Sequence, residues 1–186
     1  MQTKMIAAAT LMVLATAAQA QGYVGAAAGV TKLNDSCAGT VTCDTTGSGF
    51  KVYGGYKFMP FLGAELVHFN FGKAKATSLV GATTVAVEIE PGGFGLGVAA
   101  TTDLAANVPA TARLGVASIK TKSSGSAQGV SVSSSESSTQ AYFGLDIGYA
   151  FSKSLAASLS ADFSRAKTSG ETAAVRLVGA GIRFAF

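Results

Sequence analysis

The chain is poor in charge. Only 13 % of its 186 residues are Asp, Glu, Lys or Arg, about half the ~25 % usual in soluble domains. Tryptophan is absent, histidine occurs once, cysteine twice and proline three times. Two cysteines and one distant histidine are too few ligands for structural zinc. The glycine-rich stretch Gly92–Gly97 is followed by no helix pattern, which removes the nucleotide-loop reading and leaves no cofactor motif. Hydrophobic residues reach 48 %, yet past residue 20 no apolar run approaches the ~20 residues of a membrane helix. Basic runs and aromatic–basic interleaving are also missing, so the net charge of +4 does not point to nucleic acid.

What is present begins with an export pattern. Lys4 precedes the apolar stretch Met5–Ala18. Ala18-Gln19-Ala20 then offers a small-residue cleavage site. A basic start, a short apolar middle and such a site predict a signal peptide over residues 1–20. Residues 21–186 are the length of one domain. In an exported chain an even cysteine count predicts a disulfide between Cys37 and Cys43. Closing so short a loop contributes only ~2 kcal/mol.

Beyond residue 20 the apolar residues recur every second position, the period of a two-faced strand. Eight such segments are legible: Gly22–Thr31, Gly49–Phe58, Phe61–Phe71, a segment from about Thr83 to Ala100, Val108–Lys120, Ala141–Phe151, Leu155–Arg165 and Arg176–Phe186. In the second, Phe50, Val52, Tyr56 and Phe58 share one face while Lys51, Tyr53 and Lys57 share the other. In the fourth, apolar parity changes across Pro91-Gly92-Gly93, which predicts a β-bulge there. Before it, Lys73 and Lys75 are expected to face Glu90 and Glu88 across a hairpin turning at Gly81-Ala82. Lys32–Ser48 and the serine-rich Ser123–Ser138 are expected as polar loops, the latter mobile.

Strands that are apolar on one side and polar on the other, in a chain this greasy, suit a bilayer. There only helices and closed barrels satisfy every backbone amide. The expectation is an all-β fold: an eight-stranded antiparallel up-and-down transmembrane β-barrel. Connections after the even strands are short and the others long, as in outer-membrane barrels. The even strands end in Tyr56 and Phe58, Tyr149 and Phe151, Phe184 and Phe186, the rings expected of a periplasmic girdle.

Parity then assigns the charges. Lys51, Lys57, Glu65, Arg113, Asp146, Asp162 and Arg183 face the lumen, where unpaired charge costs several kcal/mol. An eight-stranded interior is just wide enough for side chains to fill. A salt-bridge plug centred on Glu65, Arg113 and Asp146 is therefore favoured over a pore. Lys73, Lys75, Lys120, Lys122, Arg165 and Lys167, with Lys32 and Arg176, fall at the outer rim. They are candidate contacts for lipopolysaccharide phosphates. His68, on the outward face, reads as an interfacial ring rather than a catalytic base, because no serine stands beside it in sequence.

With GFKVYGGYKF, ELVHFNFG and the terminal GIRFAF in view, the chain resembles the OmpA-like family of small eight-stranded outer-membrane β-barrels. The resemblance implies an integral protein of a Gram-negative-type outer membrane, probing its surroundings through external loops. It further implies that the barrel-assembly machinery reads Ile182, Phe184 and Phe186 as the terminal signal. The expected function is non-enzymatic, supporting envelope integrity or adhesion by a monomer. A narrow pore and a lipid A-modifying enzyme are the alternatives.

Overall fold

The computed structural model describes residues 21–34, 42–80, 83–127, 130–168 and 171–186. The expected signal peptide, and the Cys37–Cys43 disulfide with the Cys43 side chain, lie outside what is described. All regular structure is strand: β1 (Gly22–Asn34), β2 (Thr42–Asp44), β3 (Thr46–Lys57), β4 (Leu62–Asn70), β5 (Ala74–Val80), β6 (Thr83–Ala105), β7 (Val108–Ala127), β8 (Val130–Ala150), β9 (Leu155–Thr168) and β10 (Glu171–Ala185). Antiparallel pairing runs β1-β3-β4-β6-β7-β8-β9-β10 and returns to β1, which closes an eight-stranded barrel. β5 continues the line of β4 along β6, and β2 flanks β5.

Register fixes the barrel's geometry. From Lys32, successive partners are Arg176, Phe163, Phe143, Leu114, Val98, Ala64, Tyr56 and then Gly22, ten residues from the start on β1. For eight strands that stagger means a tilt of roughly 40°. Ten residues at ~3.3 Å, so inclined, rise about 25 Å, the height of the apolar band of an outer-membrane barrel. The band is visible as outward, exposed Val24, Val52, Leu66, Leu96, Leu114, Leu145, Leu159 and Ile182. Tyr56, Phe58, Tyr149, Phe151 and Phe184 are exposed at its lower edge.

The barrel wall does not stop at its upper edge. β7 and β8 stay paired as far as Ala127↔Val130, and β5 and β6 as far as Val80↔Thr83. The segment Ser123–Ser138, expected as a loop, is instead mostly ladder: Ser123↔Ser134, Ser124↔Ser133 and Ser126↔Ser131. Polarity does not mark this segment as loop, because a ribbon in water needs no apolar face to keep its amides paired. β2, β5, β6, β7 and β8 together form a sheet standing on one side of the mouth.

The bulge is also elsewhere. β6 pairs with β7 without a shift from Ala86 to Asp103, so Pro91-Gly92-Gly93 carries no bulge. The extra residue lies in the facing line: Asn70 opposes Gly92 and Ala74 opposes Ile89, so Phe71, Gly72 and Lys73 stand against Glu90 and Pro91. Gly72 takes φ +70° there, and a Cβ would sit 2.0 Å from the Ser48 carbonyl oxygen. The parity change in β6 has an environmental cause. Below the rim the dry side is lipid, where Phe94 and Leu96 point; above it Ile89 packs on the buried cluster inside.

Candidate functional site: the lumen and the outer rim

The lumen is filled in two layers. The lower is ionic. Lys51 on β3 extends its ammonium between Asp146 Oδ1 at 3.2 Å and Asp162 Oδ2 at 2.7 Å. Arg113 on β7 sits 2.7 Å from Glu65 Oε1 and 2.7 Å from Asp146 Oδ2. The Tyr23 hydroxyl donates to Glu65 Oε2 at 3.1 Å. All five charged residues are at most 9 % exposed. Three acids meet two bases, so the cluster carries a formal excess of one negative charge when every group is ionised. Gly144 makes the room: a Cβ there would lie 2.6 Å from Asp162 Oδ1.

Sequence parity assigned seven charges to this interior, and five of them form the connected cluster. Arg183 stands apart, its guanidinium carbon 6.0 Å from the centre of the Tyr23 ring. Lys57 is half-buried towards the lower rim, outside the five-membered cluster. Two tyrosines belong to the site although inward charge alone does not point to them. Tyr53 lies beneath the Arg113 guanidinium at 4.6 Å and the Lys51 ammonium at 5.5 Å. Tyr23 meets it edge-on at 6.3 Å. Their parity, shared with Lys51, was the available signal.

The upper layer is apolar. Leu33, Phe69, Phe71, Ile119, Tyr142, Val175 and Leu177 are buried together above the ions. Phe69 stacks on Phe71 at 5.3 Å and meets Tyr142 edge-on at 5.4 Å. A recess beside Leu33, Phe71 and Val175 and another beside Tyr53, Asp146 and Arg183 each hold about 10 Å³, roughly one water molecule.

The rim cations divide into neutralised and unneutralised. Lys73 donates to Glu88 Oε1 at 2.7 Å and Lys75 is 3.8 Å from Glu88 Oε2. Lys75 faces Glu88 in register as expected, but Lys73 reaches diagonally to the same acid rather than to Glu90. The hydrogen bond from Lys73 holds the Glu88 carboxyl below the usual range, and Glu88 raises the Lys73 ammonium in return. Lys167 is 3.7 Å from Glu136, and Lys122 faces Glu90 in register. Lys32, Lys120, Arg165 and Arg176 are exposed with no ion-paired acid among the described residues.

His68 faces outward, its ring 4.5 Å from Phe94 and 6.2 Å from Phe50. It lines a surface groove of about 520 Å³ with Asn70, Phe94, Ser118 and Lys120. Ser118 is the serine that sequence adjacency missed, but Phe94 stands between it and His68 in register. At the lower edge Phe186 exchanges backbone hydrogen bonds with Gly22 at 2.9 and 3.1 Å, and its ring lies 6.4 Å from Phe184.

Known proteins share this architecture. Among solved structures, Ail of Yersinia pestis is similar at 16 % identity and TM-score 0.55, over 88 % of this chain and 98 % of Ail. The Neisserial surface protein A, NspA, is similar at 15 % identity and TM-score 0.59, over 89 % and 97 %. OprG of Pseudomonas aeruginosa is similar at 15 % identity and TM-score 0.50, over 88 % and 96 %. Comparison with curated proteins yields no match. The OmpA-like transmembrane domain matches residues 17–185. The chain therefore belongs to the OmpA-like transmembrane domain family, and it is an integral outer-membrane β-barrel protein.

Proposed function

We propose that the protein is a non-conducting, non-enzymatic barrel that anchors a projecting β-sheet at the cell surface for envelope support or adhesion. The observation that carries this reading is the double closure of the lumen. An ion entering from outside meets the Phe69–Phe71–Tyr142 layer, then five interlocked charges. Separating buried ion partners costs several kcal/mol, so passage through the charged layer is opposed by the contacts that hold it together. The wall above the rim is the part left free to meet a partner. Ail has been crystallised with the heparin analogue sucrose octasulfate, which supports testing a sulfated surface ligand here.

The test has two arms. In planar bilayers the purified protein should show no discrete conductance; regular openings would replace the plug with a pore. Cells displaying it should bind immobilised heparin, and trimming residues 123–138 to a short turn should reduce that binding. Equal binding after trimming would remove the ribbon from the function. The enzyme alternative draws on the groove at His68, and lipid A of unchanged mass in expressing cells is the expected outcome. Biogenesis would use the assembly machinery, with Ile182, Phe184 and Phe186 as the signal.

A further inference from the structure

Lys32 and Arg176 are directly opposite one another on β1 and β10. Both are exposed and both are positive. Directly opposed residues hold their Cβ atoms about 5 Å apart, and like charges in that relation are destabilising. Arg165, also exposed, stands diagonally across from Arg176, because Arg176 opposes Phe163 and Ala174 opposes Arg165. Three adjacent strands thus raise three cations side by side. Elsewhere at the rim, Glu88 serves Lys73 and Lys75, and Glu136 serves Lys167. Lys32, Arg165 and Arg176 lack such compensation among the described residues, as does Lys120, but only these three stand together on neighbouring strands. A protein that tolerates this arrangement leaves it to be neutralised by something else.

Height identifies what. Two residues below each cation on its own strand is an exposed apolar side chain: Val30 under Lys32, Val178 under Arg176, Phe163 under Arg165. The stagger of the barrel brings Arg165 level with Lys32 and puts Arg176 about one residue lower. The trio therefore stands on the top edge of the lipid-facing band. Molecules at that edge have acyl chains below and a head group at the cations.

We propose that Lys32, Arg165 and Arg176 form a binding site for the phosphate of a phosphorylated glycolipid in the outer leaflet. The two guanidinium forks suit phosphate oxygens and the ammonium supplies a further charge. The acyl chains of the same molecule lie along Val30, Phe163 and Val178. A lipid is favoured over a soluble polyanion because cations and apolar residues are continuous, whereas a polysaccharide would need no apolar ledge.

The test uses the full-length barrel refolded in uncharged detergent micelles, titrated with lipid A and with enzymatically dephosphorylated lipid A. Bound lipid is counted by native mass spectrometry and the unfolding temperature is followed alongside. Lipid A should be retained and should raise the unfolding temperature; the dephosphorylated form should do neither. The triple variant Lys32→Gln, Arg165→Gln, Arg176→Gln should lose at least ten-fold in lipid A affinity. Lys73→Gln, which removes a cation already paired with Glu88, should keep it. In micelles without lipid, Lys32→Gln should unfold at a slightly higher temperature than the parent, because repulsion from Arg176 is relieved. With lipid A present the order should reverse. That reversal separates a binding site from a merely structural patch. Undiminished affinity in the triple variant, or equal retention of dephosphorylated lipid, would overturn the proposal. Equal protection by sucrose octasulfate or inorganic phosphate would also overturn it, by reassigning the patch to a soluble anion.

Discussion

Arg113 is hemmed in by two carboxylates and a tyrosine ring, and Glu65 by that arginine and the Tyr23 hydroxyl. Neither can lose its partner without leaving a charge stranded in a dry interior. Glu65→Gln and Arg113→Met should each destabilise by roughly 3–5 kcal/mol. The double variant should cost much less than their sum, with a coupling on the order of 0.5–3 kcal/mol. Unfolding in detergent micelles measures the cycle, and simple additivity would mean that each charge relies on other partners. The exposed rim makes a contrasting case at Glu88. Its carboxyl is held down by Lys73, so any stability from that pair is present above the ordinary glutamate range. It is lost as pH falls through the depressed value. In an NMR titration Glu88 should protonate at lower pH than a free glutamate, and Lys73→Gln should shift that midpoint upward. An unmoved midpoint would show that the contact is not populated in solution.

At the scale of the element, what was legible in the sequence was whatever the bilayer enforces. Period-two alternation survives wherever one face meets lipid, so Phe50–Phe58 and Phe143–Phe151 were readable, and with them the inward charges. Above the rim both faces lose that contrast, and Ser123–Ser138 looked like loop although it is paired ribbon. The apparent bulge at Pro91 was the same effect reversed. The backbone of β6 keeps its register with β7 while the dry side changes from outside to inside. The actual irregularity announces itself only as Gly72 in an otherwise ordinary FGK. Gly72→Ala should therefore destabilise by at least ~1–2 kcal/mol from the left-handed backbone alone, plus displacement of Ser48. Gly125→Ala, where a Cβ meets nothing within 4 Å, should be nearly neutral. Thermal unfolding of the two variants side by side decides it. Equal behaviour would place the extra residue of the β4–β5 line elsewhere.

For the whole molecule, the decisive joint is where β10 meets β1. Every pair from Tyr23↔Ala185 to Asn34↔Ala174 belongs to it, and Phe186 adds two backbone hydrogen bonds at its lower end. Removing Phe186 deletes those bonds, worth about 0.5–1.5 kcal/mol each. It also removes one half-buried ring, worth at most ~2–3 kcal/mol. Twelve register pairs remain to hold the barrel closed. On physical grounds alone the shortened chain should fold. Its unfolding in micelles should shift by no more than those few kcal/mol. If Phe186 with Phe184 and Ile182 also serves as the assembly signal, insertion in cells should fail far out of proportion, with the chain accumulating and being degraded in the periplasm. Replacing Phe186 by Tyr, which keeps an aromatic ring and the backbone bonds, should restore insertion. Replacing it by Ser, which keeps only the backbone bonds, should not. Two outcomes would remove the signalling role. The deletion could insert normally in cells, or it could fail equally in micelles, and the second would make the joint itself intolerant of losing a single residue.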